Sequence, residues 1–200
     1  MAATTIELPP PSGDGPISLE RSLSQRQSVR AFAPNPLTVA QVSQMLWAAQ
    51  GLTRNGVFRT APSAGALYPL ELYLVAGKVE GLEPGVYHYL SHDHGLTKTT
   101  SGDLRSELSV AALSQRAIIS APATLVMCAV YDRVTAKYGR RGDRYVHMET
   151  GHAAQNVALQ AVALGLASVP IGAFRDAQVQ QVLGLSPTCK PLYLLPVGVP

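Results

Sequence analysis

The chain has 200 residues, of which 46% are hydrophobic and only 14% charged, with a formal charge of +3. That excludes a disordered chain and suits one domain with a sizeable core. So few charges also predict that part of the surface is buried against a partner.

Residues 1–16 are rich in Pro, Gly and Thr and read as an extended arm or tail ahead of a single domain, 17–200. Ser18 to Gln27 reads as a short helix, and Pro34 and Pro36 break the chain after it. Thr38-x-x-Gln41 is a capping box, Val39, Val42, Leu46 and Ala49 follow at helical spacing, and Gly51 is the stop. Leu52 to Pro69, with Asn55-Gly56, Pro62 and Gly65, reads as loop. Leu70 to Ala76 and Val86 to Leu90 read as strands. A turn at Ser91 to Gly95 leads back into Leu96 to Thr99. Asp103 to Leu113 reads as helix, and the apolar run Ala123 to Tyr131 as a central strand. Arg133 to Arg144 reads as a polar, basic connector. A long, nearly uncharged helix follows from Tyr145 to Leu164, ended by Gly165. Ala167 to Ile171 is a strand, Asp176 caps a helix through Leu183, and Leu192 to Val199 is the last strand. These elements predict an α+β fold, a mostly antiparallel sheet packed against helices.

No apolar run reaches the roughly 18 residues of a membrane helix, and no basic-then-apolar leader opens the chain. Cys128 and Cys189 lie far apart in sequence. They read as free thiols in a reducing, cytoplasmic compartment, and no Cys/His spacing suggests zinc.

Dinucleotide, phosphate-loop and nucleophile-elbow signatures are absent. His92-Asp93-His94 reads as a solvated turn rather than a metal site. Arg26-Gln27-Ser28-Val29-Arg30 sets two guanidinium groups around a hydroxyl, which can grip a phosphate or simply form a solvated basic turn. In Thr60 to Pro69, small residues and Gly65 allow close backbone approach to a flat ligand; a structural loop is the alternative. Lys137-Tyr138 can work as an acid/base pair if held in a cleft; a solvated loop or a weak nucleic-acid patch are the rivals. Glu149-x-Gly-His-x-x-Gln155-Asn156 places polar groups on an apolar helix, where they need partners in the core or at a subunit interface.

These stretches, in this order, resemble the nitroreductase-like flavoproteins and, within them, the SagB/ThcOx-type dehydrogenases. The likeness runs from about Leu19 to the C-terminus. It takes in Leu46-Trp47-Ala-Ala-Gln-Gly51, Ser63-Ala-Gly-Ala-Leu-Tyr-Pro69, Gly85-Val-Tyr-His-Tyr89, Lys137-Tyr138, Glu149 to Asn156, Pro170-Ile-Gly-Ala-Phe174 and Pro196-Val-Gly198.

The resemblance implies FMN at the interface of a homodimer. Arg26, Gln27 and Ser28 would approach the phosphate and ribityl chain, and Arg30 the pyrimidine edge. Ser63, Ala64 and Gly65 would lie beside the isoalloxazine, Ile171, Gly172 and Ala173 on its other side, and Gln155 would join the cofactor contacts. Lys137 and Tyr138 match a pair linked to chemistry in azoline-oxidising relatives. The implied activity is hydride transfer between flavin N5 and a small-molecule or peptide substrate, either azoline oxidation or NAD(P)H-dependent reduction. The alternative is a flavin-binding or partner-binding protein without turnover. A metal, nucleic acid or membrane partner is not expected.

Overall fold

The computed structural model describes residues 5–54 and 56–200. Residues 1–4 of the expected arm, and Asn55 of the Asn55-Gly56 turn, lie outside them. In chain order the elements are β1 (Thr5–Glu7), α1 (Leu19–Gln25), α2 (Val39–Gln50), β2 (Leu52–Thr53), β3 (Phe58–Arg59), a 3-10 turn (Ala64–Ala66), β4 (Leu70–Ala76), β5 (Gly85–Leu90) and β6 (Gly95–Ser101). Then come α3 (Arg105–Ala111), α4 (Arg116–Ser120), β7 (Ala123–Val130), α5 (Asp132–Tyr138), α6 (Arg141–Ala163), β8 (Ala167–Ser168), α7 (Asp176–Leu183) and β9 (Cys189–Gly198).

Seven strands form one sheet in the order β1-β6-β5-β4-β7-β9-β8, every neighbour antiparallel. This is the expected α+β architecture. β7 lies between β4 and β9, and its eight residues alternate between two cores. Leu125 and Met127 face one, with Leu72, Leu74 and Leu195, under α2 and α6. Val126 and Cys128 face the other, with Val75 and Leu194, under α3, α4 and α7. The period of two in side-chain direction lets one uninterrupted apolar strand serve both layers.

Local chemistry explains the element starts. Thr38 Oγ1 accepts the Gln41 N–H at 3.2 Å while the Gln41 side chain accepts the Thr38 N–H at 2.9 Å, the expected capping box. Asp176 is not the cap of α7: Arg175 holds that position, and Asp176 sits in the first turn, where its carboxylate still favours the helix N-terminus.

Other expectations change in detail: the stretch Leu52 to Pro69, read as loop, holds the short antiparallel pair β2–β3. The N-terminal arm contributes β1, an edge strand on β6, and Leu8 beyond it is buried. Ser12 and Gln44 exchange hydrogen bonds of 2.8 and 3.1 Å, which holds the arm along α2. Most of the basic stretch Arg133 to Arg144 is helical. Val134 plugs into the core while Arg133, Ala136 and Lys137 stay outside, so a mostly polar helix forms around one apolar anchor. Gly139, at φ +57°, separates α5 from α6. Finally, the Ala167 to Ile171 strand pairs continuously only over β8; Pro170 cannot donate to the ladder, and Ile171 rejoins by bridging Leu194.

Candidate functional site

The residues singled out in the sequence gather into two groups on opposite faces of α6. The first lies where the end of α1 meets β8. Arg26 is the C-cap of α1, half-buried, and its own N–H is bonded to the Ser22 carbonyl. Ser28 bridges Ser168, and the Val29 N–H reaches the Ser168 carbonyl at 3.1 Å. A cleft of about 120 Å³ is lined by Arg26, Gly151, Ala154, Gln155, Ser168 and Pro170, among others. The structure therefore joins Arg26, Gln155 and Pro170, the residue before Ile171. Gln27, Ser28 and Arg30 follow Arg26 with exposed side chains. Ile171 is buried by its two-way pairing with Leu194 (2.8 and 3.0 Å), whereas Gly172 and Ala173 are exposed. A Cβ added at Gly172 would meet only Tyr193, at 3.7 Å, so this surface is open to a flat ligand.

The second group forms around the Ser63–Gly65 loop. Gly65 has φ +64°, Ala66 +53° and Tyr68 +45°, so two side-chain-bearing residues occupy the left-handed region near one glycine. Strain of this kind persists only where the surroundings enforce it. Here the Tyr68 N–H is held by Ser63 Oγ at 2.9 Å and the Tyr68 carbonyl by Arg133 Nη1 at 3.0 Å. Lys137 and Tyr138 come to the same loop from α5. A Cβ on Gly65 would stand 2.8 Å from the Tyr138 hydroxyl and 3.2 Å from Lys137 Nζ. The missing side chain is what lets the loop backbone and the Lys-Tyr pair share one space. Tyr138 is fixed edge-on against Tyr145 of α6, ring centroids 5.2 Å apart.

Sequence reasoning missed the charges beneath this loop. Arg133, one turn before Lys137, also binds Glu71 of β4, whose other oxygen is 2.7 Å from His88 Nε2. Burial opposes ionisation of Glu71, but His88 and Arg133 together hold its carboxyl below the usual range. The clamp ties α5, and hence Lys137 and Tyr138, to the sheet. Arg59 of β3 lies 4.6 Å over the Tyr68 ring and donates to Gln50 Oε1 at 2.8 Å. The one available signal was Glu71 itself, a charge inside an apolar strand.

The helix motif from Glu149 to Asn156 divides three ways. Asn156 is half-buried, and its Nδ2 donates to the Ala48 carbonyl at 3.0 Å. His152 and Gln155 are exposed. Glu149 is 2% exposed, and neither of its oxygens has a hydrogen-bond partner. Burial pushes its carboxyl up to about 7; the nearby Ser63 hydroxyl and Arg59 charge offset this only in part.

His94 is structural: its ring meets Tyr89 Oη at 2.9 Å, Ser43 Oγ at 2.7 Å and the Pro9 carbonyl at 3.0 Å, which locks the arm down. Among the described residues no group of three or more His, Cys, Asp or Glu is placed to hold a metal. Nor is any helix long and apolar enough to cross a membrane. Cys128 and Cys189, distant in sequence, are both buried and free on the adjacent strands β7 and β9.

The nitroreductase family profile matches residues 23–199, nearly the whole chain. The chain belongs to the nitroreductase family. It is 46% identical over 182 residues to a Methanocaldococcus jannaschii protein provisionally named a nitroreductase, covering 91% of each. It is 30% identical over 157 residues to the Escherichia coli microcin B17-processing protein McbC, covering 76% of this chain and 58% of McbC. This nitroreductase-family chain therefore spans under two thirds of McbC. Among solved structures, a chain of the E. coli microcin synthetase McbBCD complex with truncated pro-MccB17 bound superposes with a TM-score of 0.76 at 28% identity, over 98% of this chain and 78% of that one. The family assignment makes the protein an oxidoreductase.

Proposed function

We propose that this nitroreductase-family oxidoreductase works with FMN on a small-molecule or peptide substrate, with Lys137 and Tyr138 managing the substrate proton. The observation that carries the reading is the convergence at Gly65: an open, left-handed glycine beside a Tyr hydroxyl and a Lys ammonium. Backbone without a side chain suits a flat ring, and a hydroxyl with an ammonium beside it suits a proton in transit. FMN, when bound, would supply the two-electron chemistry at N5. Arg26 would hold its phosphate by charge-assisted bonds, with Gln27, Ser28 and Gln155 around it and Arg30 near the ring edge. Ser63, Ala64 and Gly65 would take one face of the ring; Ile171, Gly172 and Ala173 would take the other.

The placement of the two groups supports a homodimer. At about 100° per residue, Gly151, Ala154 and Gln155 point roughly 120–160° away from Glu149 on α6. One protomer therefore presents its phosphate cleft and its ring loop on different sides of one helix. A second copy supplying the complementary half would complete each site. It would also cover Leu19, Leu23 and Met148, which are 60%, 53% and 52% exposed on α1 and α6. A peptide substrate finds support in the likeness to McbC, since that complex was solved with truncated pro-MccB17 bound.

The test is to purify the protein and titrate it with FMN and donor. A yellow dimer bleached by NAD(P)H or by an azoline peptide, and recoloured by an acceptor, supports the reading. A yellow protein inert to every donor favours the flavin-binding alternative without turnover. A colourless monomer that takes up no FMN refutes the proposal.

A further inference from the structure

Glu149 is not used by the function proposed above, yet it is the most costly side chain in the site. It lies on α6 among buried Val146, Thr150 and Ala153. Both its oxygens are closed to water and unpartnered. An ionised carboxylate cannot be kept cheaply in that state, and the ordinary outcome is that it holds a proton. Few groups face it. Arg59 of β3 and Ser63 of the loop act on it directly. Beyond Arg59 stand Tyr68 of the loop, Glu71 of β4 and Arg133 of α5. Lys137 and Tyr138 of α5 lie across Gly65. Gln50 of α2, bonded to Arg59, has an unpartnered amide nitrogen of its own. The floor under the ring loop is thus a polar, water-excluded cluster in which one carboxyl is free to change state.

Ser63 connects this cluster to the surface. Its Oγ accepts the Tyr68 N–H, which leaves the hydroxyl proton free to be given away. Ser63 is half-buried, so it can pass its proton to a Glu149 oxygen and take another from solvent. In net terms one solvent proton ends on Glu149.

We propose that Glu149 balances charge at this site, taking up one proton through Ser63 when the ring held by Ser63–Gly65 gains negative charge, and so favours the reduced form of the cofactor. The inference rests on the flavin reading given above. Its direction follows from Coulomb's law, since negative charge added beside a buried carboxyl strengthens that carboxyl's hold on a proton.

The measurement is the midpoint potential of FMN bound to the full protein between pH 6 and 9. Each proton taken up per two electrons lowers the potential by about 30 mV for a tenfold fall in proton concentration. Burial, offset in part by Ser63 and Arg59, puts the Glu149 midpoint at about 7, so on this proposal the carboxyl is protonated in both redox states below that pH and adds nothing. Above it, the oxidised protein has Glu149 ionised and the reduced protein has it protonated. Wild type should therefore fall about 30 mV per pH unit more steeply than Glu149→Gln, and Glu149→Asp should restore part of the steeper fall. Infrared difference spectra of wild type at pH 8 give a second readout that needs no variant. Reduction should raise a protonated-carboxyl band that shifts with carbon-13 glutamate. Equal slopes in wild type and Glu149→Gln, or no glutamate band on reduction, overturn the proposal. A wild type that binds no FMN rejects the cofactor reading, and this inference with it.

Discussion

Glu149→Gln should gain stability relative to wild type as the pH rises to 8, and the size follows from burial. The folded protein holds the Glu149 proton up to about pH 7, against an ordinary 4.5. Between those values the folded chain binds a proton that the unfolded chain has lost. Unfolding is then favoured progressively as pH rises, by about 1.4 kcal/mol per pH unit. Below pH 4.5 both states are protonated and the residue costs nothing; above about 7 the whole cost, about 3 kcal/mol, is present. Gln keeps the shape and cannot ionise, so it removes this pH dependence while leaving a buried amide of constant cost. Urea unfolding of both proteins without cofactor, from pH 4.5 to 8, isolates the effect. Glu71 and Asp103, whose carboxyls are held low by their partners, lose stability toward acid in both proteins and cancel in the difference. The stability of Glu149→Gln relative to wild type should climb by about 3 kcal/mol across that range. A difference that stays flat with pH refutes the reasoning, because Glu149 would then have to be ionised and satisfied in the fold.

Arg26→Ala should weaken FMN binding by about 1.5–3 kcal/mol, and Arg26→Lys should recover only part because a point charge replaces a fork; flavin titration at wild-type affinity would reject the phosphate role. Lys137→Ala and Tyr138→Phe should retain bound flavin while losing at least about 10²-fold in turnover; wild-type rates in single-turnover kinetics would leave the pair without a proton role. Gly65→Ala should cost about 1–2 kcal/mol for its left-handed backbone and push Tyr138 and Lys137 aside, so turnover should fall further than stability. Thermal melts and kinetics together check that, and an unchanged kcat would mean the pair does not need its present place.

The layered α+β fold was legible in the sequence because it rests on local signals. The Thr38–Gln41 box, the alternation in Leu70–Ala76 and the apolar run of β7 each report burial through neighbours a few residues away. The stretches proposed to hold the cofactor stand out in the sequence for a related reason: cations near a hydroxyl, and small residues near a glycine, are short-range patterns. Short range also set the limit. A mostly polar segment read as a connector became α5, because one buried Val134 inside it was enough to anchor a helix onto a core that the segment does not contain. The N-terminal arm became β1 because β6 offered it an open edge. Only the tertiary structure set Lys137 and Tyr138 against Gly65, some seventy residues earlier, by way of an Arg133–Glu71 clamp joining α5 to β4. Only it divided the proposed site residues between two faces of α6. And only it buried Glu149 with neither oxygen in a full hydrogen bond, beside the Ser63 hydroxyl and the Arg59 charge, so its state depends on what α2, β3 and the loop place around it. Periodicity records which way a side chain points; desolvation is the sum over everything packed on that side, and it exists only once the chain has closed around it.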